Sequence, residues 1–325
     1  MISPSDLQAL KPKATAKAQE RIKGKEETLR NTDPRLLRYV DSVAQRPEIH
    51  NVLEILGVCK FLRMMSDYFF DIESVQSIYR AIEGVWDNGR HSHGGFKLDS
   101  LRGRKAYALT PLQCYLYAGI FGFKYYQDLG EYNGEELLDT ECIGPDGHLL
   151  DLRRVSNDVL FSAGRKNDKS GLSANCAIID MLFGDMDAEA YIVTNLLEHS
   201  LLMMQKVKFR LRQLDPEEKR FRLTQTEAQW RQGYERTGII KALSAGSRTK
   251  DGLKASMCLT DEYGSASYTN GKSDMASLVQ VVQSSQGPRR QPLNIVTTTA
   301  GNVQLGPYQQ YYNGVVEILA KEIEY

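Results

Sequence analysis

Phe161-Ser162-Ala163-Gly164-Arg165-Lys166-Asn167-Asp168-Lys169-Ser170 joins an apolar run, Val159 to Phe161, to a helical pattern with Leu172, Cys176, Ile179 and Phe183 on one stripe. A strand that turns tightly into a helix aims backbone N–H groups and the positive end of the helix dipole at one point, which suits a polyphosphate. A Lys-Ser pair at the helix start adds an ammonium for the β/γ-phosphate oxygens and a hydroxyl for Mg²⁺. Lys169 and Ser170 match those two roles. The usual loop carries Gly at the positions held here by Ala163 and Asp168. Asp168 is the more serious departure. A carboxylate repels a triphosphate, and a non-Gly residue is strained wherever the loop needs a positive φ.

A second stretch, Ala255-Ser-Met-Cys-Leu-Thr-Asp261-Glu262, ends an apolar strand on two adjacent carboxylates. Ligands of open α/β sheets bind at the carboxyl ends of the strands. There Asp261 would hold Mg²⁺ through water, and Glu262 would orient and deprotonate the attacking water. Further on, Leu293-Asn-Ile-Val-Thr297-Thr298-Thr299-Ala300-Gly301-Asn302 is an apolar strand ending in hydroxyls and Gly. It is suited to lie beside a γ-phosphate and report its loss. Singly, each stretch has a plainer reading: a chance Lys-Ser, a surface turn with two acids, one more core strand. In this order in one chain they predict nucleotide binding or hydrolysis.

The rest of the chain permits that reading without narrowing it. Its 325 residues fit one large α/β domain with an extension, and the 41 basic and 41 acidic side chains cancel. A neutral chain has no global electrostatic footprint for nucleic acid, so a DNA contact requires a local patch or an assembled ring. The best local candidate is Lys206-Val-Lys208-Phe-Arg210-Leu-Arg212 with Lys219, Arg220 and Arg222, although such a run also fits a solvated face. Five cysteines without CxxC spacing suggest reduced thiols in a cytosolic setting. No apolar stretch approaches the ~20 residues that span a bilayer, and no signal-peptide core is present, so an intracellular soluble protein is expected.

Residues 1 to 33 are polar and rich in lysine (Lys11, Lys13, Lys17, Lys23, Lys25), which predicts a loosely held helical arm. Helical periodicity continues through 34 to 85. His91-Ser-His93-Gly-Gly marks a loop whose His-x-His spacing does not suit a helix-borne metal site. Thr110 and Pro111 begin a helix running to about 123. Strands are expected at 155–162, 239–243, 255–260 and 293–298, and a strand or helix opens at 190–193. Helices are expected at 170–183, up to Leu214, at 273–284 and from Tyr311 to Glu324. Alternating strands and helices imply βαβ units and a mostly parallel sheet.

The ordered set Leu109-Thr-Pro111-Leu-Gln113, Ala163 to Ser170, Asp251-Gly252-Leu253, Asp261-Glu262 and Thr298-Thr-Ala-Gly301 resembles the large terminase subunit of tailed bacteriophages. More narrowly it resembles the branch whose loop reads Arg-Lys-Asn-Gly-Lys-Ser. The likeness runs from about residue 105 to the end. It implies a RecA-like (ASCE) P-loop ATPase with a mostly parallel central sheet flanked by helices, at 101–325, after an N-terminal helical extension at 1–100. It further implies Mg-dependent ATP hydrolysis that drives double-stranded DNA into a procapsid in the host cytoplasm. The implied partners are the portal protein, the small terminase subunit and further copies in a homo-oligomeric ring, expected as a pentamer.

Carried across residue by residue, the resemblance makes Gln113 the adenine reader and Arg165 the loop arginine that senses the γ-phosphate. The nucleotide-binding set is then Gln113, Gly164, Arg165, Lys166, Asn167, Asp168, Lys169, Ser170 and Gly171. Ser170 and Asp261 hold the metal, Glu262 is the catalytic carboxylate, and Thr298, Thr299 and Gly301 couple hydrolysis to movement. The family's trans-acting arginine has Arg248 as its nearest substitute, because Asp251 stands at the usual position. The family's nuclease half is expected to be absent from a chain ending at Tyr325. Two alternatives stand beside this reading: another DNA-dependent, helicase-like ATPase, or a nucleotide-binding scaffold disabled by Asp168. Asp168 itself is expected to cap the helix that follows it.

Overall fold

The computed structural model describes residues 2–83, 85–87, 90–93, 98–101, 104–106, 108–244, 252–266, 273–299 and 306–324. Arg248, Asp251 and Gly301 lie outside the described residues. The chain divides into two compact units, one formed by 77–109 and 158–317, the other by 2–76, 110–157 and 318–325. The division expected at residue 100 is not found. Strand pairing explains why: Phe123–Glu131 pairs with Phe69–Phe70, which ties 110–157 to the N-terminal helices.

The first unit is built on one sheet. Its strands are β1 (Asp158–Ser162), β2 (Glu189–Thr194), β3 (Phe221–Leu223), β4 (Glu227–Trp230), β5 (Ile239–Ser244), β6 (Met257–Asp261) and β7 (Leu293–Thr298). Their order is β3-β4-β5-β2-β6-β7-β1. From β5 to β1 every pairing is parallel, with Ala190 opposite Met257, Leu259 opposite Ile295, and Val296 opposite Leu160. The helices are α1 (Lys169–Phe183), α2 (Leu197–Leu214), α3 (Asp274–Ser284) and α4 (Pro307–Ala320), most of which belongs to this unit. Parallel strands covered on both faces read as continuous apolar runs. Accordingly Ala190 to Thr194 and all of β6 are buried. Nearly all of α1 is buried too, as expected of a helix that is apolar around most of its circumference.

The structure adds what periodicity missed. The β3–β4 hairpin continues the sheet antiparallel to β5, and its alternating polar sequence gave no buried-strand signal. Arg90–His93, expected as a loop, is a strand paired with Val85–Asp87.

The second unit holds helices Pro4–Ala9, Lys11–Arg21, Glu26–Thr32, Pro34–Gln45, Val52–Asp67 and Pro111–Phe121. Its separate antiparallel sheet is ordered Phe69–Phe70, Phe123–Glu131, His148–Arg154, Glu141–Ile143. The N-terminal segment is not a loose arm, because Ala14, Ala18, Ile22 and Leu29 are all buried. Thr110 caps its helix as expected: its hydroxyl accepts from Gln113 N–H, and Gln113 Oε1 accepts from Thr110 N–H. Near the chain end, Glu322 accepts from Arg21 (3.1 Å) and from both Nε and Nη2 of Arg63 (2.9 and 2.8 Å). This carboxylate is 2 % exposed. All five cysteines are free thiols, and burial pushes Cys59 up to about 11 and Cys258 up to about 12. Among the described residues no helix is long and apolar enough to cross a membrane.

Candidate nucleotide site

The parallel register brings three strand ends to one edge of the sheet. Ser162 pairs with Thr298, and Thr297 pairs with Asp261. The strand β7 therefore lies between the strand that feeds the phosphate loop and the strand that carries the carboxylates. The loop is stitched to this middle strand, since Ala163 N–H donates to the Thr298 carbonyl at 3.1 Å.

Within the loop, Lys166 (φ 68°) and Asp168 (φ 53°) are left-handed. Two reversals of this kind, with Asn167 between them, compress the chain into a tight cradle, at a conformational cost for residues other than Gly. Asn167 Nδ2 ties back to the Gly164 carbonyl at 3.1 Å. The Lys169 side chain is buried, and its ammonium donates to the carbonyls of Ala163 (2.9 Å) and Gly164 (3.1 Å). It thus spans the inside of the loop, where its charge is matched by backbone dipoles. Arg165 and Lys166 are exposed.

Asp168 occupies the N-cap position of α1, but its side chain makes no capping bond. That corrects the capping expectation. A capping residue takes extended φ/ψ, whereas the backbone of Asp168 is left-handed. The carboxylate instead lies against Gly171, where a Cβ would come within 2.1 Å of Oδ1. Lys206 of α2 pairs with the same oxygen at 3.9 Å.

On the acidic side, Asp261 is 7 % exposed and accepts three hydrogen bonds. Oδ2 accepts from Ser170 Oγ (3.1 Å), and Oδ1 accepts from Thr297 Oγ1 (2.6 Å) and from Glu262 N–H (3.0 Å). Burying a carboxylate is tolerable only when its lone pairs are met in this way. Glu262 adopts φ 54°, which turns its side chain out of the strand direction, and its Oε2 accepts from Thr299 Oγ1 at 3.1 Å. Thr298 Oγ1 accepts from Gly264 N–H (2.9 Å) and donates to the Thr299 carbonyl (2.7 Å). The two hydroxyls therefore fix both ends of the turn that presents Glu262.

Lys169, Ser170, Asp261, Glu262, Thr298 and Thr299 thus converge. Gln113 belongs to the other compact unit, where its side-chain oxygen serves the capping pair with Thr110. Thr297 and Lys206 were not singled out as site residues by sequence. A β-branched hydroxyl in an apolar strand looks like core, and Lys206 sits in a basic run. Within that run Arg212, Lys219, Arg220 and Arg222 are exposed, but other members are engaged in the fold. Arg210 is fully buried, Lys208 donates to the Thr224 carbonyl at 3.1 Å, and Arg212 pairs with Glu218 at 3.0 Å.

Among the described residues no three His, Cys, Asp or Glu side chains form a metal cage. One carboxylate and one hydroxyl nonetheless suit Mg²⁺, which keeps several waters and shares its coordination with substrate phosphates. Ser170 and Asp261, 3.1 Å apart, are of those two types.

A family model described as the ATPase domain of the terminase large subunit matches residues 151–317. Among solved structures, the large terminase of bacteriophage HK97 is similar at 16% identity, with a TM-score of 0.50 over 75% of this chain. The chain spans 41% of the length of that protein. The large-terminase ATPase domain of Thermus phage P74-26 aligns at 13% identity and TM-score 0.36, over 47% of this chain and 63% of its own. The N-terminal domain of the DNA packaging ATPase of bacteriophage phi29 aligns at 16% identity and TM-score 0.30, over 50% and 81%. No curated protein matches the chain.

Proposed function

The chain belongs to the family of terminase large-subunit ATPase domains, and on that premise we propose that it is the ATP-hydrolysing motor of viral DNA packaging. The observation that carries this reading is the bond from Ser170 to Asp261, which links the phosphate loop's helix to the acidic strand across β7. A loop strand, an intervening hydroxyl-ended strand and an acidic strand, all parallel, support a site for Mg-ATP.

In this reading, Lys169 leaves the carbonyls of Ala163 and Gly164 to neutralise the β/γ-phosphates. Backbone N–H groups at the start of α1 receive phosphate oxygens. Ser170 and Asp261 hold Mg²⁺, which when bound screens the phosphate charge and orients the leaving group. Glu262 accepts the proton of the attacking water, its carboxylate aimed by Thr299. Arg165 senses the γ-phosphate, Gln113 reads adenine, and Thr298 and Thr299 with Gly301 pass the loss of phosphate back to the loop through the Ala163 link. An arginine from a neighbouring copy, with Arg248 as candidate, completes the transition-state charge. The working partners are double-stranded DNA, the portal protein, the small terminase subunit and further copies in a ring, acting in the host cytoplasm.

Phosphate release by the purified chain with Mg-ATP tests this. Activity should rise more than linearly with protein concentration, or on adding duplex DNA and portal, because a trans-acting arginine is worth roughly 10³–10⁵ in rate. A chain that binds no ATP in calorimetry overturns the reading. A chain that binds ATP yet never hydrolyses it, with or without DNA and portal, is the scaffold that Asp168 suggested.

A further inference from the structure

We propose that Lys206 is a positioning residue of the nucleotide site, holding the Asp168 carboxylate away from the phosphates and so keeping an acid-bearing loop competent. The inference rests on the reading of the loop as an ATP cradle and goes beyond it to a residue on another helix. Asp168 brings a negative charge to the last loop position, where the nucleotide concentrates its own. Three features of the structure counter that charge. The backbone at Asp168 is left-handed, and the side chain makes no capping bond. The absence of a Cβ at Gly171 leaves the space the carboxylate fills. Lys206, on α2, supplies the opposite charge at 3.9 Å, with 33 % of its side chain exposed. The sequence neighbours Arg165 and Lys166 are exposed, while Lys206 reaches the Asp168 carboxylate from another helix.

Removing Lys206 should release the carboxylate to swing toward the phosphates. The cost of losing Lys206 should then depend on whether Asp168 carries a charge. A lysine that merely attracted nucleotide from a distance, or touched a phosphate itself, would cost the same in either background.

The test is a double-mutant cycle on the full chain, read by calorimetry with ATP and a non-hydrolysable analogue. Lys206→Ala should raise the ATP Kd about three- to tenfold at low salt, with the factor shrinking as salt screens the charge. In an Asp168→Asn background the same change should cost less than about twofold. Steady-state kinetics should show KM rising with kcat little changed, because the chemistry lies at Glu262. Lys206→Gln, which keeps most of the side chain's packing, repeats the cycle should the alanine variant fail to fold. An equal factor in both backgrounds, or no effect in the wild-type background, overturns the inference while leaving ATP binding intact. Failure of the unaltered chain to bind ATP would instead reject the nucleotide-site reading itself.

Discussion

Ser170 and Asp261 are joined by a 3.1 Å hydrogen bond although one begins a helix and the other ends a strand that is not the helix's neighbour in the sheet. Thr297 holds the other oxygen of the same carboxylate from the strand in between. The sheet thus fixes the orientation of the Asp261 carboxylate, and donors held in place in this way are the kind of preorganised electrostatics that lowers a barrier at the proposed metal site.

Thr297→Val tests that orientation. The swap keeps the β-branched shape and removes the buried 2.6 Å bond to Asp261. Leaving a buried carboxylate short of a donor costs about 1–3 kcal/mol. Thermal melting should fall by roughly 2–4 °C per kcal/mol in a unit of this size. The Mg²⁺ concentration for half-maximal activity should rise. An unchanged melting curve with an unchanged Mg²⁺ requirement would mean Asp261 is positioned by other groups.

Glu262→Gln should keep ATP affinity and lower turnover by about 10²–10⁴-fold, the usual contribution of a general base. The amide retains an acceptor for Thr299, so the local turn should survive. Thr299→Val leaves the carboxylate present but unaimed, and kcat should drop by a smaller factor with Kd unaltered. Phosphate-release assays beside calorimetry separate the two effects. Full activity in the glutamine variant would assign the base elsewhere.

Lys169→Met removes the ammonium but keeps the stem buried. Charged hydrogen bonds are worth roughly 1.5–3 kcal/mol, so ATP affinity should fall tenfold or more. Because the ammonium bonds the carbonyls of Ala163 and Gly164, the same variant should loosen the loop. Faster amide exchange across 163–168 would report that loosening. Unchanged affinity would show that the loop is not the cradle.

Glu322 gives a pH signature in the other unit. Burial raises its pKa, but hydrogen bonds and charge from Arg63 and Arg21 outweigh that and hold it below the ordinary carboxylate value of 4.5. A depressed folded-state pKa means the stabilisation is present above the unfolded value and is lost as pH falls through the folded one. Glu322→Gln should therefore lower the melting temperature at pH 7. The gap to wild type should close on acidification below about pH 4. A gap independent of pH would assign the effect to packing.

Much of this was legible in the sequence because parallel strands buried on both faces write themselves as unbroken apolar runs. Met257 to Thr260 and Leu293 to Thr298 are such runs, and Asp261-Glu262 marks where the first one stops. Thr110, Pro111 and Gln113 spelled out a helix start that forms as expected. Legibility failed where one residue type serves two physical ends. Aspartate before a helix reads as a cap, and only the left-handed φ at 168 shows that it is not. Arginine in a basic run reads as surface, yet Arg210 is buried. Short polar strands such as Phe221–Leu223 and Glu141–Ile143 take their stability from pairing partners, so their own letters carry little signal.

The carboxylate of Asp168 lies where any side chain at position 171 would have to begin. The two positions are therefore epistatic, and the order of change between them matters. A lineage that first replaces Asp168 by Gly can then accept Ala at 171. Ala at 171 beside Asp168 would place a Cβ 2.1 Å from Oδ1, so the carboxylate has to move off Gly171 for that change to be accepted. The acid at 168 and the glycine at 171 are thus coupled, and a change at one sets what the other accepts at low cost.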